Sequence, residues 1–157
     1  MKSMKVFVGL DPGVSGAISL IDTSCDKTKA ASHALKNMTE HDILELLEDL
    51  QRGSTVAYIE KVASMPRDGS RAAFTFGMSY GGLRMALIAA RIPSEAISPI
   101  VWQREFSLTF PKKLNLTKTQ KKNRHKAKAQ ELFPGLKITH ANADSLLIAE
   151  CCRRKWK

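Results

Sequence analysis

Apolar and polar positions follow two different periods along the chain. Val6, Phe7, Val8 and Leu10 form a short β-prone run that ends at Asp11, and Ala17 to Ile21 form another. The turn-rich Pro12-Gly13-Val14-Ser15-Gly16 between them predicts a hairpin. Residues 29–36 are expected to add a third strand. Thr39 then offers an N-cap, Glu40 and Asp42 place acid in the first turn, and Ile43, Leu44, Leu47 and Leu50 share one face before Gly53. This predicts an amphipathic helix. Thr55 to Glu60 reads as a buried strand, Ser64 to Arg71 as a polar loop, and about Ala73 to Ala90 as a helix. Ala96-Ile97 suggests a short strand, after which Pro99 opens a helix at its first position. Residues 117–133 are predicted as a helix stopped by Pro134-Gly135, and a last helix runs from about Thr139 through Leu146, Leu147 and Ile148. Strands first and helices later, with strands between, predict an α/β domain with a mixed central β-sheet flanked by α-helices.

Length and composition narrow this further. The 157 residues, 43% hydrophobic, suffice for one core, so a single domain over 1–157 is expected. There is no apolar run of about 18 residues and no signal-like h-region, so the protein is expected to be soluble and cytoplasmic. Cys25, Cys151 and Cys152 have neither zinc-site spacing nor a disulfide framework. Charge says more. Residues 1–102 carry 11 Lys+Arg against 11 Asp+Glu, whereas residues 103–157 carry 14 against 4, so the whole net charge of +10 lies in the last third. A basic surface so concentrated points to a polyanion, with nucleic acid first. Lys118, Lys121, Lys122, Arg124, Lys126 and Lys128 fall within eleven residues and are the expected phosphate contacts.

Three acids stand out against this basic background. Asp11 ends a buried strand before a glycine-rich turn, Glu60 ends an apolar strand, and Asp144 lies near the start of the last helix. Strand-end acids lie where open α/β sheets build their sites. His140 is four residues before Asp144, so in a helix from Thr139 the two would share a face. Carboxylates gathered together require a divalent cation, and oxygen ligands suit Mg²⁺ or Mn²⁺, two per site if the reaction is in-line phosphodiester hydrolysis.

These residues resemble RuvC-like Holliday junction resolvases, especially the phage and plastid-type branches. The resemblance rests on the Asp11 strand and turn, Glu60, the segment Ala143-Asp144-Ser145-Leu146-Leu147-Ile148-Ala149, and the distinctive stretch from Ser64 to Leu83. It implies an RNase H-like homodimer that binds a four-way DNA junction and nicks two opposed strands symmetrically, with Asp11, Glu60 and Asp144 as metal ligands. Bacterial members carry an aspartate where this chain has Ala141; some phage and plastid-type relatives instead have a histidine at the position of His140, which would be a fourth ligand or act on the attacking water. The resemblance also brings Arg67, Arg71, Phe74 and Phe76 towards the junction centre, where an aromatic ring can stack on an unpaired base. Phe74 and Phe76 are two residues apart, so one is expected exposed and the other buried. A flap or other branched-DNA nuclease, and an inactive DNA-binding module on the same fold, are the competing readings. An actin-like ATPase is disfavoured, since one lobe cannot supply the nucleotide cleft.

Overall fold

A computed structural model describes residues 5–63 and 69–156. Its sheet contains β1 (Val6–Asp11), β2 (Ala17–Asp22), β3 (Lys29–Ala34), β4 (Thr55–Glu60) and β5 (Ser94–Ile97), in the order β3-β2-β1-β4-β5. The first three strands form an antiparallel meander, while β4 and β5 run parallel to β1. The helices are α1 (Glu40–Leu50), α2 (Ser70–Ala89), α3 (Pro99–Glu105), α4 (Lys118–Leu132) and α5 (Ala143–Lys155). Among the described residues, no helix is long and apolar enough to cross a membrane.

The strand period of two divides the core into two layers. Val6, Val8 and Leu10 of β1 and Ala57 and Ile59 of β4 pack with Leu47 of α1 and Leu83 and Leu87 of α2. The intervening Phe7, Val56 and Tyr58 pack on the opposite side with Trp102, Ala129, Leu146, Leu147 and Ile148 from α3, α4 and α5. By the same alternation Asp11 and Glu60 belong to this second side. Their parallel strands are in register up to the pair Leu10 and Ile59, so both acids arrive at the same end of the sheet.

Local chemistry explains most of the element boundaries. Thr39 caps α1 and Thr117 caps α4, each in a reciprocal capping box, with Asp42 and Gln120 respectively. Three expectations need correction. α2 begins at Ser70, so Arg71 is helical rather than part of a loop; Arg67 lies outside the described residues. The third strand stops at Ala34, followed by a 3₁₀ turn over Leu35–Asn37. α5 begins only at Ala143, because Thr139 and Asn142 close a separate turn: the Thr139 N–H donates to Asn142 Oδ1 and the Asn142 N–H to Thr139 Oγ1. His140 therefore lies in that turn and shares no helical face with Asp144.

Candidate active site

β1 reaches its end at Asp11 and turns sharply. Gly13 has φ of 114°, and a Cβ on Gly16 would collide with the Asp11 carbonyl oxygen, so the loop needs glycine at both places. α2 holds this loop from outside: Ser79 Oγ accepts the Gly13 N–H at 3.0 Å, and the Phe76 ring lies over Gly13. On the inner side, α5 crosses β1 so closely that a Cβ on Gly9 would overlap the Ser145 carbonyl oxygen and the Ala149 nitrogen. That close approach carries Asp144, in the first turn of α5, towards Asp11.

Electrostatics register the proximity of the three acids. Burial, then the negative charges of Glu60 and Asp144, hold the Asp11 carboxyl well above the ordinary aspartate range, with Lys122 acting in the opposite direction. Glu60 is also raised, chiefly by burial and further by Asp144, against the hydrogen bond from Trp102 and the charges of His125 and Lys122. The side chains do not surround a common point: among the described residues no three His, Cys, Asp or Glu groups converge as a cation cage. Two of the acids are turned to other partners. Trp102 Nε1 donates to Glu60 Oε2 at 2.6 Å, and His125 Nδ1 pairs with Asp144 Oδ1 at 2.8 Å. The donor set nevertheless fits a hard divalent cation in kind, being carboxylate oxygens whose mutual repulsion a cation would relieve.

His125 and Trp102 were not singled out from the sequence. The signal for His125 was available in α4, where Lys122, His125, Ala129 and Leu132 recur at helical spacing on one face. This face turns inward: His125 and Ala129 are buried. The six basic residues expected to act together are accordingly divided. Lys118, Lys121, Arg124 and Lys126 are exposed, Lys122 is half-buried and near enough for its charge to act on Asp11 and Glu60, and Lys128 is half-buried and paired with Glu131 at 2.8 Å. The Arg124 guanidinium lies over the Phe110 ring, 4.9 Å from its centroid. His140 is exposed, its Nε2 at 2.8 Å from Asn123 Oδ1.

Phe74 and Phe76 depart from expectation, since both are exposed, by 69% and 45%. The reason is that α2 is apolar on both faces. Leu83 and Leu87 face the core, while Phe74, Met78, Met85 and Ile88 form an exposed stripe along the opposite side. Phe76 belongs to the core side but beyond the sheet, where it covers Gly13.

No family model matches the chain, and no curated protein does. Among solved structures, it is similar to RuvC of Thermus thermophilus in complex with a Holliday junction substrate, with TM-score 0.60 and 14% identity over 92% of this chain and 90% of that one. A second Thermus thermophilus RuvC structure matches with TM-score 0.57 and 16% identity over the same shares. The fold is RNase H-like, of the RuvC kind. In this RuvC-like fold, the parallel strands β1 and β4 bring Asp11 and Glu60 to one end of the sheet, and α5 brings Asp144 near enough for its charge to act on both.

Proposed function

We propose that the chain is a divalent-metal-dependent endodeoxyribonuclease that resolves four-way DNA junctions in the cytoplasm, acting as a homodimer that nicks two opposed strands. The observation that carries this reading is that Asp11, Glu60 and Asp144 lie near enough for their charges to act on one another's site, beside a helix that carries the exposed Lys118, Lys121 and Lys126. An acid cluster alone would repel DNA, and a basic helix alone would only hold it; together they suit phosphodiester hydrolysis. The RuvC structure described as bound to a Holliday junction supports the choice of branched DNA as substrate.

In this reading Asp11, Glu60 and Asp144 hold Mg²⁺ or Mn²⁺, two ions per site. Bound there, the cations supply charge neutralisation at the phosphate and a more acidic water. Lys118, Lys121 and Lys126 hold phosphates on either side, and Lys122 brings positive charge next to the scissile group. Arg71 and Phe74 lie on the exposed side of α2, where the ring is free to stack on an unpaired base. His140, exposed and held by Asn123, is suited to meet incoming DNA or water rather than to stand as a fixed ligand. Its replacement by alanine is expected to slow single-turnover nicking about 100-fold with Mn²⁺ affinity unchanged; a loss of affinity would instead make it a ligand. Further along α2, the exposed Met78, Met85 and Ile88, with Gly77 and Gly81 open beside them, support a second copy packing on this helix.

The test is strand-resolved mapping of nicks on mobile and immobile four-way junctions, against flap and duplex DNA, in Mg²⁺ and Mn²⁺. Paired, symmetric nicks on the junction that vanish in Asp11→Asn are expected. Preferred cleavage of flaps would reassign the substrate, and metal-independent junction binding without nicking would make the chain a DNA-binding module.

A further inference from the structure

Glu60 and Asp144 each meet a donor supplied by a different helix of the second core, and those two donors touch. Trp102 is 1% exposed, and an indole N–H buried to that degree needs an acceptor. It finds Glu60 Oε2. His125 is 7% exposed and meets Asp144 Oδ1. His125 serves as the donor of this pair in the tautomer that carries its proton on Nδ1. The two rings pack edge to face with centroids 5.2 Å apart and planes at 75°. An unbroken line of contacts therefore runs from Glu60 on β4 through Trp102 on α3 and His125 on α4 to Asp144 on α5. The second oxygen of each carboxylate has no hydrogen-bond partner among the described residues.

We propose that Trp102 and His125 form one positioning unit, which locks one oxygen of Glu60 and one of Asp144 and presents the other oxygen of each towards Asp11. The inference rests on the metal-site reading above and names residues that support the carboxylates without joining them. Neither ring would be expected there from packing alone. A core position beside Ala129 and Leu146 is filled as well by phenylalanine or leucine, whereas the N–H groups at these two places each point at a carboxylate. Hydrogen-bonded partners behind metal-holding side chains fix their orientation, and their loss typically weakens metal binding or activity by about 10–100-fold.

The experiment uses the purified full chain and five variants: Trp102→Phe and His125→Phe, which keep a ring but remove the donor, the double variant that combines them, His125→Asn, whose amide nitrogen replaces Nδ1, and Asp144→Asn as the reference. Mn²⁺ affinity is read from the electron paramagnetic resonance of free Mn²⁺, alongside the metal-free melting temperature and single-turnover nicking of a four-way junction. Trp102→Phe and His125→Phe are each expected to weaken Mn²⁺ binding about 10–100-fold, with metal-free junction binding unchanged, and His125→Asn to recover most of the affinity. Because the rings are packed together, the double variant should lose less than the product of the single losses. Should Trp102→Phe melt too early to assay, the two His125 variants decide the matter. Wild-type Mn²⁺ affinity in His125→Phe, or equal losses in His125→Phe and His125→Asn, would overturn the unit. If Asp144→Asn itself binds Mn²⁺ like the wild type, the metal-site reading fails; if it does not bind while His125→Phe does, only the positioning unit fails.

Discussion

At Asp11 three effects act in the same direction: burial and the charges of Glu60 and Asp144 all favour the protonated carboxyl, and Lys122 only partly offsets them. Between the ordinary aspartate pKa and the raised folded-state value, the folded metal-free chain therefore retains a proton at Asp11 that the unfolded chain has released. The contribution of Asp11 to stability is therefore fully present below the ordinary aspartate pKa and is lost as pH rises through the raised folded-state value. Asp11→Asn removes this penalty, so in chelator the variant should melt above the wild type at neutral pH and converge with it at acid pH. Each kcal/mol recovered corresponds to about 2–4 °C in a chain of this size. A neutral-pH melting temperature at or below that of the wild type would show that Asp11 is not the repelled group. The three acids were legible in the sequence because each ends or begins an element, and element ends are what period and punctuation reveal. Trp102 and His125 were not, since their partners lie 42 and 19 residues away and only the packing of α3 and α4 brings them together.

Elements carry the spacing between the acids. Asp11 rides on β1 and Asp144 on α5, and the separation of these two backbones is set at Gly9, where Ser145 and Ala149 occupy the space a methyl group would need. Ser145 is fixed there by a buried hydroxyl chain, with Ser19 Oγ 2.6 Å from both Ser145 Oγ and Ser32 Oγ. Gly9→Ala must push α5 outward, and overpacking of this kind costs about 1–3 kcal/mol or more. The expected result is a lower denaturant midpoint together with loss of Mn²⁺ affinity, although no carboxylate has been altered. An unchanged midpoint would mean that α5 is free to shift. The small residues Gly9, Ser145 and Ala149 were visible in the sequence, but nothing local says that they face one another. α2 presents the opposite case. Its length was legible, yet an apolar helix with two apolar faces gives no single stripe to orient, which is why the alternate exposure expected of Phe74 and Phe76 fails.

Over the whole molecule the net charge of +10 is less freely available than its sum suggests. Glu150 illustrates this: burial alone would raise its carboxyl, but hydrogen bonds from Arg153 and Arg154 bring it below the ordinary range, and Arg154 and Lys155 also reach Glu105. Lys128 is taken up by Glu131. Three of the four acids in residues 103–157 thus occupy basic neighbours, and the fourth is Asp144 in the site. The count of charges was legible from sequence, whereas their allocation needed the fold. Salt dependence of junction binding distinguishes the two groups, because each phosphate neutralised by a cation contributes a slope of about 0.9 in log K against log salt. In metal-free buffer, alanine at Lys118, Lys121 or Lys126, all exposed on α4, should each reduce the slope by about 0.9 and weaken binding whatever the sequence. Alanine at Lys128 should leave the slope nearly unchanged, since its ammonium is already paired. Lys122→Ala should differ from both, lowering the nicking rate more than the affinity, because its charge faces the acids. Equal slopes for all five variants would mean that DNA opens the Lys128–Glu131 pair and draws on the whole basic third alike.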